Sequence, residues 1–384
     1  MALQNDFFSD FPPVSKDEWL QQIARDLKGK RPEELDWEAE PGLKVSPFVH
    51  ADDFTEPPLA LSDEPNDWKI AEDIPVTDAV QGNRQALEAL EGGAEDLEFH
   101  FSGPPGAADF QHLMAGIYPD YIGLHFTGPG VAANPGAILS HLEQLCASGG
   151  VPSRRLRGSL GYDPASAGGI ADWRYLADLL EFAKEKFPGF RLVTLQATAG
   201  AEGAAGVSQI LADLLRQGDW YLQKLSGRGV SAADAAGTLQ FSWQTGQSYF
   251  LEIAALRAFK LLWLNVLNAW ELPLQLPYVA ARFRPGVYTG ELYGNMIRAT
   301  TLAMSAVLGG ADRLTVLPYD AGREAQATYP PEFGRRIARN VQHLLKLESH
   351  LDEIPDPAAG SYYLEKLTVQ LAGKAWEDFS GTRR

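Results

Sequence analysis

The feature that most constrains this chain is a rhythm that begins near Ala79 and runs almost to its end. Short strand-like runs fall at residues 97–101, 121–126, 155–162, 191–197, 238–243, 272–280 and 314–317. Helical patterns lie between them, including 172–186, 206–225, 249–270 and 293–308. Strands that alternate with helices over such a length imply parallel strands joined by right-handed crossovers. Seven visible strands, with one more expected, fit a closed eight-stranded (β/α)8 TIM barrel. An open doubly wound sheet is the competing architecture, but no GxGxxG opens any of the helices.

The stretch before this rhythm reads as an arm. Ser15-Lys-Asp-Glu18 has capping-box spacing, and Trp19, Leu20, Ile23 and Leu27 behind it form one apolar stripe. Gly29 and Pro32 end that helix. The stripe is too short to make its own core, so it must pack on the main body or on another chain. The second outcome is the expectation here, with residues 1–50 reaching over a partner. Residues 51–66, rich in Pro and Asp, read as an irregular linker. The expected division is residues 1–60 as arm and linker, and residues 61–384 as barrel.

Charge narrows the partners. Fifty acidic against 33 basic residues give a formal charge of −17, which repels phosphate backbones and makes nucleic acid an improbable partner. No apolar run reaches the ~18–20 residues of a membrane span. The opening MALQNDFFSDFPP has no apolar segment of the signal-peptide kind. The single cysteine, Cys146, leaves no internal disulfide. Cytoplasmic residence is the expectation.

In barrels of this type chemistry sits at the C-terminal strand ends. Those ends offer scattered carboxylates (Asp163, Glu202, Asp320), two arginines (Arg282, Arg284) and no histidine. The seven histidines show neither HxH nor HExxH spacing, so no metal site is expected. His100 and His125 alternate within strands and read as structural. Cys146 has no activating neighbour and reads as a buried thiol. Arg282 and Arg284 suit a phosphate or carboxylate, or equally a salt bridge. The glycine-rich run 199–206 suits either a ligand at a helix start or close strand–helix packing.

Several stretches resemble the methylmalonyl-CoA mutase family, in particular the small subunit of its heterodimeric bacterial members. The C-terminal block carries the resemblance most sharply: Arg336-Ile-Ala-Arg-Asn-Val-Gln342, Leu347-Glu-Ser349 and Ile354-Pro-Asp-Pro-Ala-Ala-Gly-Ser-Tyr-Tyr-Leu-Glu365. Leu308-Gly-Gly-Ala-Asp312 with Thr315-Val-Leu-Pro-Tyr-Asp320 is similar to the family's last barrel strand. Asp26-Leu-Lys-Gly-Lys30 and Val45-Ser-Pro-Phe48 resemble the small subunit's arm. The likeness covers nearly the whole chain.

The resemblance implies adenosylcobalamin in the holoenzyme and an acyl-CoA held by the barrel, the cofactor performing the difficult radical step. It also implies that this chain has lost its catalytic groups. The family's tyrosine falls on Asp73 and its arginine on Ala71. The histidine that binds the thioester carbonyl falls on Ala199, with Thr198 in place of its tyrosine neighbour. Gly161 opens the segment that matches a Gln-Asn-Asp motif, of which Asp163 alone remains. A methyl group cannot donate the hydrogen bond that Ala199's counterpart supplies, an effect worth ~3 kcal/mol. Glu202 and Glu348 match glutamates near the cofactor's ribose and are candidate vestigial cofactor contacts. No Asp-x-His-x-x-Gly occurs, so a chain without the cobalamin-binding domain, and binding no cofactor alone, is expected. The implied partner is the large subunit, with self-association in its absence. The alternative is a substrate-binding barrel subunit of an acyl-CoA mutase that works with a separate cobalamin-binding chain.

Overall fold

A computed structural model describes residues 13–58, 60–165, 172–197 and 206–381. The chain opens with α1 (Lys16–Asp26) and the hairpin β1 (Trp37–Glu40) and β2 (Leu43–Val45). There follow β3 (Lys69–Val76), α2 (Ala79–Glu91), β4 (Asp96–Phe101), α3 (Ala107–Leu113), β5 (Gly123–Thr127), α4 (Pro129–Ala133) and α5 (Pro135–Gly149). Next come β6 (Arg157–Tyr162), α6 (Trp173–Lys186), β7 (Gly189–Gln196), α7 (Val207–Ser226), α8 (Ala232–Gly237), β8 (Leu239–Thr245) and α9 (Tyr249–Ala269). The last elements are β9 (Val279–Phe283), α10 (Leu292–Leu308), β10 (Arg313–Thr315), α11 (Pro331–His343) and α12 (Tyr362–Gly381). Strands β3 to β10 are parallel and close into a barrel in sequence order, β10 pairing with β3.

The strand unseen in the sequence is β3. Its Pro75 and adjacent acids Glu72 and Asp73 disguise it, since proline and carboxylates are depleted in strands. Strand alternation sends Glu72 outward and Asp73 inward, and each finds an arginine. Another predicted strand, 272–280, begins too early: pairing starts only at Val279.

Each strand presents one face to the helices. In β4, Leu97, Phe99 and Phe101 are buried in that layer, where Phe99 stacks on Phe126 of β5 at 5.7 Å between ring centres. Helix starts follow ordinary capping chemistry: Asp78, Asn134 and Asp172 accept backbone N–H bonds at the heads of α2, α5 and α6. Among the described residues no helix is long and apolar enough to cross a membrane.

Part of the arm packs on its own chain. Its capping box forms at Ser15 and Glu18, but from Trp37 onward the arm lies on its own chain. The Trp37 indole N–H donates to Tyr363 of α12 at 2.8 Å. Glu40 accepts from the backbone N–H of Ser208 at the head of α7 (3.0 Å) and pairs with Lys374 of α12 at 2.9 Å. Only α1 stays peripheral: it buries no residue and rests on its own arm, with Trp19 edge-on to Phe48.

Beneath the C-terminal block that carries the resemblance lies a buried ion cluster. Arg257 of α9 binds Asp356, and Glu365 at 2.8 Å. Asp356 also accepts the Leu61 backbone N–H at 2.8 Å, and Glu365 that of Gly360 at 3.0 Å. One guanidinium thus fastens the linker, the 356–361 turn and α12 to α9.

Candidate active site in the barrel lumen

The inward strand positions of this barrel are polar. A typical barrel of this class is filled by layers of branched apolar side chains. Here the filling is ionic. Arg282 of β9 donates to Glu98 of β4 at 2.8 Å and to Asp73 of β3 at 3.0 Å. Arg313 of β10 donates to the second oxygen of Glu98 at 2.7 Å. Glu98 and Arg313 are almost wholly buried, whereas Asp73 and Arg282 are about one third exposed and face the mouth.

Burial alone would raise the pKa of Glu98, but the paired guanidiniums of Arg282 and Arg313 overcome it and hold that pKa at about 2. Asp73 moves the other way: burial, with the charge of Glu98 beside it, raises its pKa against the pull of Arg282. One carboxylate takes the full benefit of the arginines and its neighbour does not.

Deeper in the lumen, Asp96, His125 and Ser159 form a second line. His125 Nε2 lies 2.9 Å from Asp96, and its Nδ1 lies 2.7 Å from Ser159 Oγ. Burial, then the charge of Arg313, lowers the pKa of His125, so the ring is neutral near pH 7. A carboxylate only accepts, so Nε2 carries the proton and donates to Asp96, and the Ser159 hydroxyl donates to Nδ1. Ser159 accepts in turn from Gln240 Nε2 at 2.8 Å, which also donates to Thr194 Oγ1 at 2.6 Å. Asp-His-Ser order resembles a hydrolytic relay, but Ser159 is 1% exposed and its oxygen is already engaged twice, so no substrate carbonyl can reach it. This line is structural.

Between the two polar systems remains a cavity of about 80 Å³, lined by Glu98, Ser159, Gln240, Arg282 and Arg313 among others. Two buried atoms of its lining residues, Arg313 Nη1 and Gln240 Oε1, have no hydrogen-bond partner among the described residues. Such a space suits a few water molecules. It falls well short of the several hundred Å³ typical of a ligand pocket.

The residues singled out in the sequence are scattered by this geometry. Asp73 sits in the lumen on Arg282. Gly161 of β6 is closed over by its neighbour: an added Cβ would lie 2.4 Å from Thr127 Oγ1. Asp163 accepts from the Tyr221 hydroxyl and from the Ala165 backbone, as a loop anchor. Asp320 is fully buried against Gly334, and burial raises its pKa. Arg282 does bind carboxylates, as its residue type suggested, but they are the chain's own. Thr198, Ala199, Glu202 and residues 200–205 of the glycine-rich run lie outside the described residues.

The structure does not bring Glu348 to the mouth. Helix α11 descends from the C-terminal end of β10, and the five residues after it place Lys346 on Asp67 and Glu95, at the N-terminal end of the barrel. Glu348 follows, exposed, on that lower end. Cys146 is buried, and burial followed by the charges of Asp120 and Glu143 pushes its thiol up to about 11, leaving it inert. Among the described residues no group of three His, Cys, Asp or Glu side chains is placed to hold a metal.

His125 is structural, as its place within a strand suggests, whereas Asp96, Glu98, Ser159, Gln240 and Arg313 lie inside strands, away from the strand ends where chemistry is expected. Their signal was present. Asp-Leu-Glu-Phe-His-Phe at 96–101 alternates strictly, which in a barrel strand assigns the polar set to one face.

Methylmalonyl-CoA mutase small subunits match almost the whole chain: that of Porphyromonas gingivalis is 31% identical over 97% of this chain and 63% of its own length. That of Streptomyces virginiae is 29% identical over 98% of this chain and 64% of its own. A methylmalonyl-CoA mutase of Cereibacter sphaeroides is 31% identical over 94% of this chain and 57% of its own. The chain therefore spans less than two thirds of the length of these relatives. Among solved structures, a dihydropteroate synthase of Xanthomonas albilineans superposes with a TM-score of 0.44 at 16% identity, covering 76% of this chain and 94% of that one. That likeness is too loose to bear on function. The methylmalonyl-CoA mutase profile, in contrast, matches residues 105–383, most of the barrel and all of the C-terminal block, and on this match the chain belongs to the methylmalonyl-CoA mutase family.

Proposed function

We propose that this chain is a non-catalytic small subunit of an adenosylcobalamin-dependent methylmalonyl-CoA mutase, one that stabilises a catalytic large subunit in the cytoplasm. The observation that carries the reading is the ionic plug. Among the described residues, Arg282, Glu98, Arg313 and Asp73 fill the lumen and leave about 80 Å³, too little for an acyl thioester. Opening that space means separating buried charges, at ~3–5 kcal/mol for each broken pair. The substitutions at Ala199, Thr198 and Gly161 support the same reading from the sequence.

The residues present do not fit a resident corrin. Where the family's tyrosine falls, this chain has Asp73 tied to Arg282, and a charged pair is a poor support for the apolar face of a macrocycle. No step through cobalamin is derived for this barrel.

The chain supplied with adenosylcobalamin and a separate cobalamin-binding domain is expected to convert no methylmalonyl-CoA to succinyl-CoA. Measurable turnover under those conditions would overturn the proposal. Co-purification with a cobalamin-containing large subunit from the source organism is the matching positive result.

A further inference from the structure

We infer that the lower rim of the barrel around β5 and β6 is a docking surface for an acidic protein surface, and specifically for one on the large subunit of the mutase. The inference rests on the small-subunit reading above and adds the face that is used.

The rim carries Tyr118, Tyr121, Arg154, Arg155 and Arg157. The tyrosines are 73% and 77% exposed and meet edge to face at 6.2 Å. Side chains of this size left in water on a folded chain gain most when a partner covers them. Tyrosine and arginine are also the residue types that dominate binding energy at protein interfaces.

The surface is built rather than loose. Ile117 and Leu156 are buried in the core on either side of it. Arg157 donates to the Tyr121 carbonyl at 3.3 Å, and Arg154 donates to the Glu185 carbonyl at the end of α6 at 3.1 Å. Pro119 and Pro152 restrict the two loops further. Little order remains to be imposed on binding, so little of the contact energy is lost to entropy.

Charge selects the partner. The chain as a whole carries −17, yet this rim gathers three arginines. Two acids stand beside them: Asp120 is largely buried and 3.9 Å from Arg155, too far for a strong pair, and Glu185, whose carbonyl Arg154 holds, is offset by Lys186 at 3.5 Å. An acidic partner is repelled by most of the molecule and attracted here, which fixes orientation as well as affinity. Spread over three arginines and two exposed tyrosines, the rim suits an extended protein surface better than a free phosphate.

The test measures binding of the full chain to the large subunit from the same source, by sedimentation or calorimetry at low and moderate salt. The variants are the triple substitution Arg154→Glu, Arg155→Glu, Arg157→Glu and, separately, Tyr118→Ser with Tyr121→Ser, each checked for an unchanged melting curve. At least a tenfold loss of affinity in both, with a weaker salt dependence in the arginine variant, is the expected result. Wild-type binding retained within twofold by both variants overturns the docking surface while leaving the small-subunit reading intact. Failure of the wild-type chain itself to bind the large subunit overturns both.

Discussion

Arg282 of β9 reaches across the lumen to Glu98 of β4, Nη2 to Oε1 at 2.8 Å, so two strands far apart in the barrel wall are joined through its centre. Arg313 completes the grip on the other oxygen of the same carboxylate. Replacing Glu98 by Gln removes a charge that two guanidiniums share. The expected cost is ~3–5 kcal/mol, the range for breaking a buried pair. Urea unfolding of the Glu98→Gln variant measures it, and a loss under 1 kcal/mol would show that the plug is not an energetic unit.

The same carboxylate makes stability depend on pH. Its folded value, about 2, lies below the ordinary 4.5, so the unfolded chain binds the proton more readily. The stabilisation is therefore complete above about pH 4.5 and is lost as pH falls toward 2. Its size is roughly 3 kcal/mol, at 1.36 kcal/mol per pH unit. Unfolding midpoints of wild type and Glu98→Gln should converge across that window, and a constant difference would contradict this assignment.

Arg257 holds two acids in a nearly dry environment, with its own side chain 1% exposed. Arg257→Met leaves Asp356 and Glu365 without their cation. A loss of ~3–5 kcal/mol follows from the same rule, together with easier proteolysis in the 354–361 turn. Limited digestion with peptide mapping tests the second effect independently of global stability.

Two glycines of β6 should respond differently to alanine. A Cβ on Gly161 would press on the Thr127 side chain, whereas one on Gly158 would lie 1.8 Å from the backbone carbonyl oxygen of Leu124. A side chain can yield and a paired strand cannot. Gly161→Ala is expected to cost about 1–3 kcal/mol, the usual range for overpacking, and Gly158→Ala more than that. Parallel thermal melts decide the order.

The barrel was legible because helix and strand periods alternate for most of the chain, and because outward residues such as Leu97, Phe99 and Phe126 obey that alternation. What stayed hidden was carried by polar residues within strands. β3 escaped notice because Glu72, Asp73 and Pro75 are poor strand formers, and only the arginines that neutralise the two acids make the strand viable. The lumen charges escaped for a related reason. Single acids and arginines many residues apart in sequence give no local sign that they meet, and closure of the barrel alone puts Glu98 beside Arg282 and Arg313. Glu348 illustrates the converse: a plausible match in sequence lands on the lower end because α11 descends the full height of the barrel.

Glu72 and Asp73 also bear on the order in which the molecule is made. The guanidiniums that neutralise them belong to residues 282, 335 and 339, more than two hundred positions downstream. While the ribosome is still building those helices and strands, the earliest wall segment carries two unbalanced negative charges and lacks its β10 neighbour. It is therefore the first piece of the wall synthesised and among the last to be secured, an interval in which a nascent chain of this kind would gain most from a chaperone.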